Sequence, residues 1–315
     1  MNKKLLSVVI PAYNEEKNIP FVYNELKEVL WKIENKYDYE IIFVNDGSKD
    51  NTWEEIVKLA EKNKKVKGIN FSRNFGKEVA LTAWIEYAKW DAVITMDADG
   101  QHPIEKVIDF VKEWEKWYEI VYNKRPKIEK ASFLKKISSF LFYKLFNLFS
   151  EFKLESSTTD YRLLDRRVVN YFLKFKEKWR LYRWIVDWLW FNKKVLVFDA
   201  KDRYFWEANY SYKKLFQLAI NSLTSFSVFP LKLVGYLWFF ITLVSSLLLF
   251  VIFIDKLILH RLDFSNLAIV VVLNTILIWI VLISLWLIAL YVARIHEEVL
   301  WRPMYVVQEK VNFKD

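Results

Sequence analysis

Two aspartates separated by one residue follow an apolar stretch in the segment 91–103, which reads DAVITMDADGQHP. The apolar and β-branched residues in its first half predict a buried strand whose carboxyl end presents Asp97 and Asp99. Acidic side chains at such a position require solvent, a basic partner or a bound cation. Asp99 and Gln101 offer oxygen atoms of the kind that Mg²⁺ or Mn²⁺ prefers, so a metal site is the first hypothesis. The alternative is that the acids cap a helix that begins near Pro103.

Short apolar runs alternate with helical patterns through the first 125 residues. The strand-like runs are LLSVVIPAY, YEIIFVND, VKGINF, DAVITM and YEIVYNK. This alternation predicts an α/β fold with a mostly parallel sheet and helices on both faces. Ligands bind such sheets at the carboxyl ends of the strands, which is where Tyr13, Asp46, Arg73 and Asp97 fall.

Two long segments carry no charged residue, one from Leu233 to Ile254 and one from Leu267 to Ala293. Each exceeds the roughly 20 residues that a helix needs to cross a bilayer. We therefore predict two transmembrane helices, joined as a hairpin by the short segment 255–266. Lysine and arginine are more frequent outside the hairpin than in that segment, which predicts that the amino-terminal part is cytoplasmic.

The formal net charge of +9 indicates an anionic partner. Because the chain has two predicted spans and no zinc-finger or RNA-binding signature, we expect that partner to be the lipid bilayer and not a nucleic acid. Phe and Leu recur at helical spacing among the lysines of 131–152, which predicts an interfacial amphipathic helix, with a core helix as the alternative. The predicted divisions are a globular domain at 1–212 that includes this helix, a juxtamembrane helix at 213–228, the hairpin at 229–293 and a cytoplasmic tail at 294–315.

Four motifs occur in a fixed order: VVIPAYNEEKNI (8–19), VNDGSKDNT (44–52), SRNFGKEVAL (72–81) and MDADGQHP (96–103). Their order and spacing resemble those of the family 2 glycosyltransferases, which have the GT-A fold, a Rossmann-like sheet domain. With DYRLLDRRVV (160–169), Arg203 and the two apolar segments, nearly the whole chain is similar to the polyprenyl-phosphate glycosyltransferases. The resemblance implies that one sugar is transferred, with inversion and a divalent cation, from a UDP- or GDP-sugar to polyprenyl phosphate at the cytoplasmic membrane face.

The resemblance also implies roles for individual residues. The nucleotide-binding set is Pro11, Tyr13, Glu15, Asp46, Arg73 and Asp97. The metal ligands are Asp99 and Gln101, with Asp97 near both the metal and the ribose. The catalytic set adds to Asp97 and Asp99 three arginines that hold phosphate, which are Arg125, Arg162 and Arg203. The remaining arginines of this region, Arg166, Arg167 and Arg183, are interpreted as part of a solvated surface.

The sequence departs from the family pattern at two places. Asn45 replaces the first acid of the usual acidic pair, but its amide still forms hydrogen bonds, so we expect nucleotide binding to survive. The neighbouring Asp46 has an alternative interpretation as a turn residue in NDGS. Ala208 and Asn209 replace the Ser-Lys pair that precedes Tyr210, which removes one cation from the expected lipid-phosphate region.

The chain has 15 Trp and 5 Gly, whereas glycine averages about 7% of residues in proteins. Six tryptophans stand where the family has glycine or where a turn favours it: Trp84, Trp90, Trp117, Trp184, Trp190 and Trp206. Glycine accepts a positive φ after a helix end, and tryptophan does so poorly. We hypothesise that UGA codons that specify glycine in the source were read as tryptophan, and UGG in the coding DNA would refute this. The alternative is that the tryptophans are genuine aromatic anchors at a membrane interface.

Two other functions remain open. A catalytically inactive membrane scaffold could keep the same fold, and a bulky Trp206 near Arg203 favours that alternative. A processive polysaccharide synthase is the other, although the sequence has no Gln-x-x-Arg-Trp signature. We also expect the apolar hairpin to associate into a homo-oligomer. The motifs do not specify the sugar or the nucleotide base.

Overall fold

The computed structural model describes residues 3–83, 90–124, 158–175, 177, 182–198, 266–300 and 302–313, together with isolated positions between 236 and 254. The chain divides into two compact units. The sheet unit contains the described residues up to 198 and the segment 302–313, and the helix unit contains 266–300. The predicted amphipathic helix at 131–152 and the predicted juxtamembrane helix at 213–228 lie outside the described residues.

The sheet unit is built on eight described strands. They are β1 (Lys4–Ala12), β2 (Tyr37–Asn45), β3 (Val66–Phe71), β4 (Ala92–Thr95), β5 (Ile120–Lys124), β6 (Thr158–Asp165), β7 (Lys193–Val197) and β8 (Val307–Val311). Their order in the sheet is β7-β5-β6-β4-β1-β2-β3-β8. Strand β1 pairs in parallel with β2 and β4, and β2 pairs in parallel with β3, whereas β6 and β8 run antiparallel to their neighbours. The mixed, mostly parallel α/β sheet that the sequence predicts is confirmed.

Helices cover both faces of the sheet. The described helices of this unit are α1 (Asn18–Trp31), α2 (Thr52–Lys62), α3 (Lys77–Ala83), α4 (Val107–Glu115), α5 (Arg166–Phe172) and α6 (Tyr182–Trp188). Helices α1, α2 and α4 pack on one face and α3, α5 and α6 on the other. Alternate residues of the central strands enter the two cores, as Val8 and Val9 of β1 do. Because both faces are buried, the strands are continuous apolar runs without polar alternation.

The helix unit contains α7 (Asn266–Val299), whose 34 residues extend about 51 Å at 1.5 Å per residue. In the described part of the chain, Ile276–Val299 is the one helical stretch long and apolar enough to cross a membrane. It covers most of the second predicted span at 267–293. The first predicted span, 233–254, lies largely outside the described residues. The two-helix hairpin therefore stays a prediction.

The carboxyl-terminal segment differs from the sequence expectation. We predicted a cytoplasmic tail at 294–315, but helix α7 continues to Val299 and residues Val307–Val311 form strand β8. This strand pairs antiparallel with β3 and completes one edge of the sheet. The sequence VQEKV is short and charged, so it gave no strand signal. The segment that follows the membrane-type helix is thus part of the sheet unit.

Candidate active site

The carboxyl ends of the parallel strands β1 to β4 lie at one edge of the sheet, and sheets of this kind bind ligands in the crevice at that edge. The loops after β1, β2 and β3 carry Tyr13, Asp46 and Arg73, and the loop after β4 carries the aspartates of the MDADGQHP motif. Strand β6 adds a group that sequence analysis did not assign. Since β6 is antiparallel to β4 and Arg162 is opposite Thr95, Asp160 lies near the segment that follows β4.

The loop after β1 is held against the loop after β2 by hydrogen bonds. The backbone N–H of Asn14 donates to Ser48 Oγ at 2.9 Å, and the N–H of Glu15 donates to Thr52 Oγ1 at 2.8 Å. Asn14 adopts a left-handed conformation with φ 56°, which asparagine tolerates well. Tyr13 is exposed beside this loop, and Pro11 is buried in β1. Two predicted nucleotide residues, Tyr13 and Glu15, therefore sit on a fixed loop at the crevice.

Asp46 fixes the loop that follows β3. Its buried carboxylate accepts hydrogen bonds from the backbone N–H of Phe75 at 2.7 Å and of Gly76 at 2.9 Å. Burial raises the pKa of this carboxyl, and the two backbone donors oppose that rise. We predicted that Asp46 binds the base, which stays a prediction; the structure shows that Asp46 orders the segment that follows Arg73.

Gly47 allows the two loops to approach closely. It has φ 64°, and a Cβ atom at this position would lie 2.3 Å from the carbonyl carbon of Arg73. The preceding Asn45 is buried and donates from Nδ2 to Asn70 Oδ1 at 2.8 Å, while its own Oδ1 accepts from Ser48. An amide satisfies both contacts without charge, which accounts for asparagine at the position where the family pattern has an acid.

The centre of the crevice is a cluster of alternating charges. Lys77 Nζ lies 2.6 Å from Asp97 Oδ1 and 2.7 Å from Asp160 Oδ2. Arg183 binds the same Asp160 carboxylate through two nitrogens, with Nη2 3.0 Å from Oδ2, and also donates to the carbonyl of Thr158. Burial alone would raise the pKa values of both aspartates, but Lys77 holds each pKa well below its usual range. Both aspartates are therefore anionic at neutral pH.

Glu78 lies behind this cluster. Its Oε2 accepts a hydrogen bond from the backbone N–H of Tyr182 at 2.7 Å, which ties α3 to α6. Burial, and then the negative charge of Asp160, raise the pKa of Glu78 to about 7. This carboxyl therefore changes its charge near neutral pH.

The turn after β4 carries the predicted metal ligands. Asp99 Oδ1 accepts from the backbone N–H of Gln101 at 3.1 Å, and His102 Nε2 lies 3.2 Å from Asp97 Oδ2. Within the described residues, no three His, Cys, Asp or Glu side chains form a group that could hold a metal. Two carboxylates and one amide oxygen still match the partial ligand set typical of Mg²⁺, in which substrate phosphates complete the coordination. The donor chemistry of this turn fits a divalent cation that binds together with a diphosphate.

The predicted phosphate-binding arginines are only partly accounted for. Arg162 is fully buried, where it donates to the carbonyl of Thr159 and pairs with Asp187 at 3.2 Å. The predicted role of Arg162 as a phosphate ligand stays a prediction. Arg125 and Arg203 lie outside the described residues.

Besides Asp160, Arg183 and Lys77 belong to the cluster and were not assigned from the sequence. Arg183 was interpreted as a surface residue and is exposed, and it also pairs with the buried Asp160. The pattern around α6 gave no signal for this contact, since it depends on tertiary structure. Lys77 could have been noted, because it ends the SRNFGK part of a recognised motif.

Of the four described tryptophans at predicted glycine positions, two have a positive φ. Trp117 has φ 70° and Trp190 has φ 52°, and both side chains are strongly exposed after a helix end. Trp90 is buried and Trp184 lies within α6. Trp84 and Trp206 fall outside the described residues.

Comparison with known proteins identifies the class. The model of the family Glycosyl transferase family 2 matches residues 7–173, and the chain belongs to this family. The protein is therefore a glycosyltransferase, and its mixed sheet supports the GT-A fold expected of the class.

Individual relatives match over nearly the full chain. An uncharacterized glycosyltransferase of Synechocystis sp. is 39% identical over 96% of this chain and 95% of its own length. A prophage-derived bactoprenol glucosyl transferase of Shigella flexneri is 33% identical over 96% of this chain and 97% of its own. Among solved structures, the glucosyl-3-phosphoglycerate synthase from Mycobacterium tuberculosis has a TM-score of 0.48 at 14% identity, over 70% of this chain and 78% of that one.

Proposed function

We propose that the protein transfers a single sugar from a UDP- or GDP-sugar to polyprenyl phosphate, with inversion, at the cytoplasmic face of a membrane. The observation that carries the proposal is the crevice in which Asp97, two residues before Asp99, joins the Lys77–Asp160–Arg183 cluster. The bactoprenol glucosyl transferase of Shigella flexneri, which is similar over nearly its full length, supports the acceptor class.

The donor would occupy the loops after β1, β2 and β3. The fixed loop that carries Tyr13 and Glu15 and the loop that Asp46 orders form two sides of this region. Arg73 is exposed at its rim, with its guanidinium 4.2 Å from the ring centre of Phe75, so its charge is available to a diphosphate. A cavity of about 370 Å³ opens between the loops after β1 and β2 and is lined by residues 14–18, 49 and 50.

Asp97, Asp99 and Gln101 would hold Mg²⁺ or Mn²⁺ against the donor diphosphate. The bound ion would neutralise the charge that develops on the leaving nucleotide. His102 contacts Asp97 and is buried against Tyr161, with 4.8 Å between ring centres, which keeps the carboxylate oriented towards the crevice. The role proposed for these residues is to bind and orient the donor.

The acceptor would approach the side of the crevice formed by Lys77 and Arg183. A polyprenyl phosphate is already anionic at neutral pH, so its oxygen needs alignment and cationic neighbours more than a general base. Lys77 and Arg183 supply two positive charges, and Asp160 holds both in place. By family resemblance Arg125 and Arg203 would add further phosphate contacts.

The chain path supports two membrane crossings. The chain leaves the sheet after β7 and returns to the same sheet as β8, so a membrane-anchored chain must cross the bilayer an even number of times between them. Helix α7 would supply one crossing, since it is long and apolar enough. A second crossing within 199–265 would match the predicted hairpin and would put both ends of the chain on one side of the membrane. We also propose that these helices associate into a homo-oligomer, which crosslinking in a mild detergent would test.

A transfer assay tests the proposal. Membranes that contain the protein are incubated with labelled UDP- and GDP-sugars, Mg²⁺ or Mn²⁺ and undecaprenyl or dolichyl phosphate, and the lipid is extracted. We expect label in the lipid extract, and loss of that label with EDTA or in Asp99→Ala. Asp109→Ala, which removes a half-exposed aspartate of α4, is the matched control and should retain transfer. Absence of transfer with every donor would favour the inactive scaffold.

A further inference from the structure

The segment after helix α7 packs directly on the start of the donor loop. The ring of Tyr305 stacks on Phe71, the last residue of β3, with 5.1 Å between centroids and 24° between planes. The backbone N–H of Ser72 donates to the carbonyl of Val306 at 3.0 Å. The carboxyl-terminal segment therefore holds the point at which the chain leaves β3 and enters the loop 72–76.

The contact continues from Phe71 into the loop itself. Phe71 meets the edge of Phe75 with 5.7 Å between ring centres, at 89° between planes. The backbone N–H of Phe75 donates to Asp46, and the guanidinium of Arg73 lies over the ring of Phe75. Continuous contacts through Phe71 and Phe75 thus join Tyr305 to Asp46 and Arg73, the two residues expected to meet a nucleotide.

The loop needs such support. Residues 72–76 contain no regular secondary structure, and Gly76 has φ 99° in open space, where an added Cβ atom would meet nothing within 4 Å. Glycine in open space permits several backbone conformations. Asp46 restrains the end of the loop at Phe75 and Gly76, and Tyr305 restrains its start through Phe71.

We propose that Tyr305 is a positioning residue that holds the loop 72–76 in the conformation that binds the donor. The inference rests on the proposed function, because it assigns the donor to this loop. It gives the carboxyl-terminal segment a role in substrate binding that its position after a membrane-type helix does not suggest. Truncation before residue 302 would remove this support together with β8.

Hydrogen exchange on the full-length protein in detergent tests the positioning role without any nucleotide. In Tyr305→Ala we expect peptides that cover 72–77 to lose protection by about two- to tenfold, the range expected for loss of one aromatic pair. Peptides of β2 should be unchanged. Tyr305→Phe keeps the ring and should match the wild type. If Tyr305→Ala does not fold, Tyr305→Leu retains apolar bulk without stacking and should show the same loss.

Phe313→Ala is the matched control. Phe313 lies beyond the other end of β8, packs against the same core cluster and contacts Lys67. The Phe313→Ala variant should leave the hydrogen-exchange protection of 72–77 and the donor KM unchanged. Tyr305→Ala should raise the donor KM about two- to tenfold with kcat little altered. Equal effects of both variants, or no loss of protection in Tyr305→Ala, would overturn the proposal. Failure of the wild type to bind UDP or GDP with Mn²⁺ would instead overturn the proposed function.

Discussion

Replacement of Trp117 by glycine should stabilise the protein, although it deletes the largest type of side chain. Trp117 follows helix α4 with φ 70°, and its N–H donates to the carbonyl of Trp114 at 2.9 Å. Its side chain is 86% exposed, so removal of the indole sacrifices little apolar burial. A residue with a Cβ atom in the left-handed region costs about 1 kcal/mol relative to glycine. We expect Trp117→Gly to raise the free energy of unfolding by about that amount.

The assay is thermal unfolding of the full chain in detergent, in which about 1 kcal/mol corresponds to a rise of roughly 2–4 °C. Trp117→Ala is the matched control, because alanine removes the indole and keeps the Cβ penalty. It should give no comparable gain. The same comparison applies to Trp190, which has φ 52° and is 82% exposed. A gain in Trp117→Ala equal to that in Trp117→Gly, or a loss in both, would refute the reasoning from backbone conformation.

Three further predictions concern the crevice. Lys77→Met should lower kcat/KM about a hundredfold, which is the size of effect seen when one oriented charged or donor group is removed from an active site. Steady-state kinetics measures this loss, and an unchanged rate would exclude a role for Lys77. Gly47→Ala should weaken donor binding and destabilise the protein by about 1–3 kcal/mol, because the new Cβ atom would lie 2.3 Å from the carbonyl carbon of Arg73. Calorimetry measures donor binding and thermal melting measures stability. Wild-type values in both would contradict the loop packing. The pKa of Glu78 is raised from 4.5 to about 7 in the folded protein. The folded state therefore binds the proton more tightly than the unfolded state, and stability should fall as pH rises from about 5 to 8. Melting temperatures of Glu78→Gln should decline less over that interval, and parallel curves for both proteins would contradict the assignment.

The central strands and their loops were predictable from sequence because their signals are local. A strand buried on both faces is a continuous apolar run, and the polar residues Tyr13, Asp46 and Asp97 directly follow such runs. The glycine-like positions of Trp117 and Trp190 were likewise readable from their place after helical patterns.

The contacts that were missed depend on distant parts of the chain. Asp160 enters the crevice only because β6 runs antiparallel beside β4, and no local pattern gives that direction. The same pairing buries Arg162, and no local pattern in the sequence indicated that burial. Strand β8 forms because an edge of β3 is open to it, although its own sequence has weak strand propensity.

The most direct test of the central claim is a mass spectrum of the lipid product made by the wild-type protein. Membranes supplied with an accepted nucleotide sugar, a divalent cation and a polyprenyl phosphate of known length should yield that lipid with the mass of one added sugar. A ladder of products with several sugars would instead indicate a processive synthase, and recovery of only the unmodified lipid with every donor would contradict the proposed activity.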